Sequence, residues 1–215
     1  MVSRSRLKWA LPVLVVVSGA ALWAVWPYWT ADPPAEVDRL LALLELKPGM
    51  AVAEVGAGDG RRTVLRAERL GPSSQVHSTE LGSKELSRIR DAVAKGGLRN
   101  VTVVPGGEKE TNLPKQCCDA IFMRRVYHHF TDPRALNASM LDALRPGGRL
   151  AVIDFAPRPW MFWLWRPEGV RADRGGHGMP PALLIQELTQ AGFMVERRIA
   201  DWPGRDYCVV ARKPK

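Results

Sequence analysis

The sequence predicts an α/β fold in which a mostly parallel sheet of seven strands carries helices on both faces. Short apolar runs that suit buried strands alternate with amphipathic helical stretches through most of the chain. A glycine-rich turn, EVGAGDG at residues 54–60, joins the first of these strands to a crossover helix. Near the C-terminus, the short turn DWPGRD joins two strands and predicts an antiparallel edge strand.

Composition indicates one globular domain. Charged residues make up 25% and hydrophobic residues 46% of the 215-residue chain, values that argue against disorder and against a polytopic membrane protein. The 31 Lys and Arg against 22 Asp and Glu give a net charge of +9, which favours anionic partners. The basic residues are scattered and no zinc-finger or RNA-binding signature is present, so we do not expect nucleic acid as a partner.

Residues 1–31 are predicted to form one N-terminal transmembrane helix that anchors the chain. Three basic residues precede a run from Trp9 to Trp29 that contains no charged residue, and about 20 apolar residues in a helix cross the hydrocarbon core of a bilayer. Tryptophans lie at both ends of the run, as is typical of membrane interfaces. A signal peptide cleaved near residues 18–20 is the alternative, and the length of the apolar run favours the uncleaved anchor.

Residues 32–215 are predicted to form the folded domain. A first helix follows the linker DPP and ends at LKPGM, after which AVAEV reads as a buried strand. The seven predicted strands lie at residues 50–55, 75–80, 101–104, 119–123, 149–154, 194–199 and 206–212. The helices between and after them are predicted at residues 62–70, 83–95, 133–144 and 181–191.

The turn at residues 54–60 is predicted to bind a ligand with its backbone. Amides at the start of the following helix face the crevice beyond the strand ends, and glycines let a ligand approach them closely. A dinucleotide-binding turn would place its third glycine at position 61, which is Arg61. The glycines are instead Gly56, Gly58 and Gly60, a pattern that suits a nucleoside ligand without a pyrophosphate.

Four stretches resemble the class I S-adenosylmethionine-dependent methyltransferases, and most closely the type 11 and ubiquinone-pathway group. They are LKPGMAVAEVGAGDG, GLRNVTVV, LP…CCDAIFMRRVYHHF and LRPGGRLAVIDF, and the resemblance covers residues 46–212. It implies a Rossmann-like, doubly wound sheet, S-adenosyl-L-methionine (SAM) as cofactor, and methyl transfer as activity.

The resemblance also implies which residues bind SAM. Glu54 and the glycine loop would hold the methionine portion, Glu80 the ribose hydroxyls, and residues 106–108 would lie beside the adenine. The usual Gly-Asp after the third strand is replaced here by Gly106-Gly107-Glu108, so the adenine contact would move to Glu108 or to backbone amides. The predicted cofactor-binding residues are Glu54, Gly56, Ala57, Gly58, Asp59, Gly60, Glu80, Leu81, Gly107, Glu108 and Arg124.

Three residues at the ends of the fourth and fifth strands are candidate catalytic groups. Methyl transfer requires alignment of donor and acceptor and, where the acceptor carries a proton, a base to accept it. His128 and His129 follow the fourth strand and Asp154 ends the fifth, and histidine accepts protons near neutral pH. The alternative is that these side chains only hold the turn FTDP by hydrogen bonding.

A tryptophan-rich insertion near residues 156–180 is predicted to cover the acceptor. The stretch PWMFWLWRP begins just after Asp154, on the sheet edge where the cofactor would lie. Its aromatic residues between arginines suit a lipid headgroup interface better than a core. The predicted lid residues are Trp160, Phe162, Trp163, Trp165 and His177.

These features predict a membrane-bound methyltransferase whose small, lipid-like acceptor receives the methyl group on oxygen, sulfur or carbon. A SAM-binding module without catalysis and a protein or RNA methyltransferase are the alternatives. The positive charge before the apolar run predicts an exported domain, whereas SAM is made in the cytosol, so the side of the membrane stays open, as does the oligomeric state.

No metal site is expected from the cysteines. Cys117 and Cys118 are adjacent and Cys208 is distant, and no histidine or cysteine stands at metal-ligand spacing from them. We therefore predict that all three are small buried hydrophobic residues.

Overall fold

The computed structural model describes residues 33–157 and 177–215, which form a seven-stranded sheet with helices on both faces. The helices are α1 Pro33–Leu43, α2 Arg61–Leu70, α3 Ser83–Lys95, α4 Pro133–Ala143 and α5 Pro181–Gln190. The strands are β1 Ala51–Val55, β2 Gln75–Glu80, β3 Val101–Pro105, β4 Cys118–Arg124, β5 Leu144–Asp154, β6 Met194–Trp202 and β7 Asp206–Arg212. A turn of 3₁₀-helix, Tyr127–His129, follows β4.

The strand order β3-β2-β1-β4-β5-β7-β6 confirms the predicted doubly wound sheet. Strands β1 to β5 are parallel, and the chain crosses from one half of the sheet to the other between β3 and β4. The antiparallel pair predicted at the edge is also confirmed. Strand β7 is antiparallel to both β5 and β6, and β6 is the outermost strand.

Alternate residues of the central strands pack into cores on opposite faces of the sheet. Ala53 and Ile121 belong to the core that α4 and α5 cover, whereas Val52 and Ala120 belong to the core that α1 and α2 cover. All five residues of β1 are buried, as expected for a parallel strand with helices on both sides.

Strand β5 differs most from its predicted bounds. It begins at Leu144, five residues before the predicted start at residue 149, and α4 ends at Ala143. Leu144 pairs with Cys118 before a register shift in the ladder, so residues 144–148, which the prediction placed before the strand, are already part of it.

Within residues 33–157 and 177–215, no helix is long and apolar enough to cross a bilayer. The anchor predicted at residues 1–31 lies outside the described residues. So do most of the predicted lid and four of its five named residues, Trp160, Phe162, Trp163 and Trp165.

Candidate active site

A cleft of about 240 Å³ opens where the carboxyl ends of the parallel strands meet. Open α/β sheets bind ligands at this edge, beside the point where the strand order reverses. The predicted site residues that line it are Gly56, Glu80, Leu81, Gly107, Glu108 and His129. Gly106, which the resemblance places beside the adenine, also lines it. Sequence patterns predict no ligand-binding role for Val126, Phe130 and Leu136, because an apolar residue near a strand end reads as core.

Gly56 is required by the packing at the start of the cleft. Its φ of +74° lies in the left-handed region, and a Cβ atom there would come within 2.4 Å of Cγ2 of Val126. The turn after β1 is therefore packed directly against the segment after β4. Only glycine brings these two segments so close together.

The carboxylate of Glu80 is held in place by two backbone amides. Gly58 N donates to Oε2 at 2.9 Å, and Leu81 N donates to Oε1 at 2.9 Å. Each carboxylate oxygen retains a lone pair that can accept a further hydrogen bond. The glycine loop and the end of β2 thus form one rim of the cleft, with the exposed Leu81 side chain beside it.

The segment after β3 forms a closed turn beside the end of β2. Gly106 N donates to the carbonyl of Glu80 at 2.9 Å, and Gly107 N donates to the carbonyl of Glu110 at 2.8 Å. Asn112 closes the turn by donating to the carbonyl of Pro105 at 2.9 Å. The amides of Gly106 and Gly107 are therefore both used within the protein.

Glu54 lies behind the cleft in a buried ion pair. One of its carboxylate oxygens accepts from Arg66, and the other accepts from Thr63 Oγ1 at 2.6 Å. Arg66 is itself buried, with its guanidinium 4.4 Å from the ring centroid of Phe122. These contacts tie β1 to α2 and direct the Glu54 side chain away from the lining of the cleft.

Arg124 is also engaged within the protein. Its Nε donates to Oε1 of Glu36 at 2.6 Å, and its Nη2 lies 3.1 Å from Oδ2 of Asp206. Burial lowers the pKa of Arg124, while the charge of Glu36 opposes that shift. The end of β4 is thereby linked to α1 and to β7, and Arg124 does not contribute to the cleft lining.

His128 and Asp154 form a buried pair where β4 and β5 end. The Nδ1 atom of His128 lies 2.9 Å from Oδ1 and 3.1 Å from Oδ2 of Asp154. Asp154 also accepts from the backbone amides of His128 and Phe155. The hydrogen bond to a carboxylate assigns the proton to Nδ1. The Nε2 atom is buried and makes no hydrogen bond with any residue that the structure describes.

Two further histidines surround the ring of His128. The ring centroids of His129 and His177 lie 4.1 Å and 5.2 Å from it. Burial, followed by the charge of His128, lowers the pKa of His129 to about 4 and also lowers the pKa of His177. Both rings are neutral near pH 7. His129 lines the cleft, so it connects the buried pair to the ligand side.

The chain is similar in sequence to known methyltransferases. Residues 53–152 match the family described as "Methyltransferase domain". Over 126 residues the chain is 30% identical to a protein-L-isoaspartate O-methyltransferase from Aeropyrum pernix. The matched region covers 57% of this chain and 45% of that protein. Over 111 residues it is 32% identical to a ubiquinone/menaquinone biosynthesis C-methyltransferase from Bordetella avium. That matched region covers 52% of this chain and 43% of the relative. The chain thus spans less than half the length of these relatives.

The fold is also shared with solved structures. A SAM-dependent methyltransferase from Aquifex aeolicus superposes with a TM-score of 0.71 at 24% identity, over 85% of this chain and 89% of that one. At this level of identity the likeness establishes the architecture. It leaves the acceptor to be argued from the residues of the cleft.

Proposed function

The chain carries a class I SAM-dependent methyltransferase domain of the type 11 group, and on this premise we propose that it methylates a hydroxyl oxygen of a small, lipophilic acceptor. The observation that carries the proposal is the pair formed by Asp154 and His128 beside the cleft. A histidine oriented by a carboxylate is suited to remove a proton from an acceptor hydroxyl. The relatives include an O- and a C-methyltransferase, so the acceptor atom must come from this site.

The residues of the cleft fit SAM. Gly56 leaves the backbone open to a ligand, and the fixed carboxylate of Glu80 suits two neighbouring ribose hydroxyls. Because the amides of Gly106 and Gly107 are already used, we assign the adenine contact to the side chain of Glu108. Leu81 offers an apolar surface to the base.

When bound, SAM supplies an electrophilic methyl group on a sulfonium, and the chain has to align the acceptor and take up its proton. We propose that Nε2 of His128 accepts the proton of the acceptor hydroxyl, since the hydrogen bond to Asp154 keeps the ring's own proton on Nδ1. The carboxylate then stabilises the imidazolium that forms. His129 lines the cleft with its ring centroid 4.1 Å from that of His128, and its lowered pKa of about 4 lets it contact the acceptor without competing for that proton.

The lipophilic acceptor is proposed on three features. Val126, Phe130 and Leu136 give the cleft an apolar wall beside His129. The uncharged run from Trp9 to Trp29 and the aromatic stretch at residues 160–165 suit a protein that works at a bilayer. A relative in ubiquinone/menaquinone biosynthesis is consistent with an acceptor of this kind.

The proposal is tested with the full chain in lipid nanodiscs, assayed by formation of S-adenosylhomocysteine. The acceptors are phenols with and without a long alkyl chain, and a matched series of thiols. We expect turnover with the alkylated phenols and loss of turnover in His128→Asn, with SAM binding unchanged. SAM binding without turnover on any acceptor would identify a binding module. Equal turnover with short and long phenols would reject the lipophilic acceptor.

A further inference from the structure

Three potential metal ligands meet on the side of the sheet away from the cleft. His77 lies in the amino-terminal half of β2, Cys118 begins β4, and Cys117 directly precedes it. One ligand atom from each of the three lies within 4.8 Å of the others. Sequence spacing does not reveal the group, because His77 is distant in the chain and reaches the cysteines across β1, which separates their strands.

The surroundings of the His77 side chain suit a metal ligand. Its side chain is 7% exposed, and neither ring nitrogen makes a hydrogen bond with any residue in the described ranges. Burying an unpaired imidazole is unfavourable, and buried polar groups in native proteins nearly always have a partner.

The two thiols are close to each other and near a positive charge. Their sulfur atoms lie 2.9 Å apart. The hydrogen bond from Cys118 is the main cause that lowers the pKa of Cys117, and the charge of Arg145 adds to it, whereas the pKa of Cys118 is raised. Two neighbouring thiolates repel each other unless a cation lies between them. A metal ion would take the place of the protons, which binding releases.

We propose that His77, Cys117 and Cys118 form a site for one soft metal ion, and that Cu⁺ fits the donor set best. Thiolates select Cu⁺ and Zn²⁺ over harder ions. Structural Zn²⁺ sites use four protein ligands, and the described residues supply three. With metal–ligand distances of about 2.0–2.3 Å, the ligand atoms would sit roughly 4 Å apart. Ligand atoms that are up to 4.8 Å apart would therefore have to move slightly closer. The two sulfur atoms, now 2.9 Å apart, would have to move away from each other.

A bound ion would join two strands, β2 and β4, that β1 separates in the sheet. It would connect β2 to the start of β4 and to the loop that ends at Cys117. The same loop begins at Gly106, in the rim of the cleft. Metal binding should therefore raise the unfolding temperature of the whole domain, because a ligand that binds only the folded state stabilises it.

The test is an anaerobic titration of the reduced full chain in detergent with Cu⁺ buffered by a chromophoric chelator. We expect one equivalent bound, and X-ray absorption that shows two sulfur ligands and one nitrogen. The variants Cys117→Ser, Cys118→Ser and His77→Asn should each weaken binding by at least about 100-fold, since even loss of an outer-shell partner costs 10- to 100-fold. Cys208→Ala is the matched control, because that thiol is buried in the other core.

Several results would overturn the site. Equal weakening in Cys208→Ala would mean nonspecific thiol binding, and unchanged affinity in His77→Asn would remove the histidine from the site. Tighter binding of Zn²⁺ than of Cu⁺ would overturn the choice of ion. For variants that do not fold, alkylation of the wild-type chain decides: Cu⁺ should protect the half-buried Cys117 from iodoacetamide, and equal labelling with and without Cu⁺ rejects the proposal.

Discussion

The imidazole of His128 is held by Asp154 through a hydrogen bond of 2.9 Å, with both side chains buried where two neighbouring parallel strands end. Asp154 accepts from three donors: the ring of His128, its backbone amide and the amide of Phe155. This arrangement fixes the direction of the ring as well as its tautomer. A histidine held only for packing would not require it.

We predict that Asp154→Asn lowers kcat by about 100-fold or more, the range that general base catalysis contributes. The amide can donate to Nδ1, which would move the ring proton to Nε2 and prevent that atom from accepting a proton. Nitrogen-15 NMR of the His128 ring measures the tautomer, and calorimetry measures SAM binding, which should not change. Asp142→Asn, at an exposed carboxylate on α4, is the control. An unchanged kcat in Asp154→Asn would exclude the proposed base.

Glu80→Gln is predicted to weaken SAM binding by about 10- to 100-fold, because a hydrogen bond to a charged group contributes roughly 1.5–3 kcal/mol. The amide nitrogen of glutamine is a donor, so it can accept neither from Gly58 N nor from a ribose hydroxyl. Calorimetry with SAM gives the dissociation constant. Glu85→Gln, which removes a partly exposed carboxylate from the first turn of α3, should bind as the wild type does. Equal losses in the two variants would mean a general charge effect.

Gly56→Ala is predicted to destabilise the fold and to abolish SAM binding. An alanine at a φ of +74° costs about 1–2 kcal/mol, and its Cβ would overlap Cγ2 of Val126. The double variant with Val126→Ala should recover part of the lost stability, because it removes the overlap and leaves the backbone strain. Urea unfolding of the wild type, Gly56→Ala, Val126→Ala and the double variant gives the coupling free energy between the two positions. Additive effects would contradict the close packing of these segments.

The sequence predicted the sheet well because its signals are local. The strand AVAEV, the glycine turn and Glu80 at the end of β2 each follow from a few neighbouring residues and the order of the elements. In the structure Val55, Gly56 and Glu80 line the same cleft.

The pairing of buried charges could not be predicted in the same way. Arg66 reads as a solvated position on an amphipathic helix, yet it is buried against Glu54. Arg124 pairs with Glu36, which lies 88 residues earlier in the chain. Such contacts depend on which helices and strands become neighbours in the fold. The hydrophobic periodicity of the sequence does not carry that information.

The pKa of His129 predicts how folding stability depends on pH. The folded state holds this pKa at about 4, below the ordinary value of 6.5, so between these values the unfolded state binds more protons. Stability should therefore be highest above pH 6.5 and fall as the pH drops towards 4. The charged or titratable neighbours that shift the pKa of His129 are His128, Asp154 and His177.

The measurement is urea unfolding at several pH values between 4 and 7 for the wild type and His129→Gln. Because His129 is exposed on the cleft side, solvent screens part of the effect and the slope should be shallow. The variant should show a smaller loss of stability over this range. Identical pH profiles in the two proteins would contradict the lowered pKa.

Glu36 is predicted to be the residue through which α1 is fixed to the sheet. Its buried carboxylate accepts from Arg124 Nε at 2.6 Å and from Trp202 Nε1 at 3.0 Å. In Glu36→Gln the guanidinium of Arg124 would stay buried with Asp206 as its remaining carboxylate partner among the described residues, and breaking a buried ion pair costs up to about 3–5 kcal/mol. Asp38→Asn is the matched control, since it removes an exposed carboxylate from the same helix, where an ion pair contributes little. Urea unfolding followed by tryptophan fluorescence measures both, and equal stability of the two variants would show that the buried position of Glu36 gives it no special role.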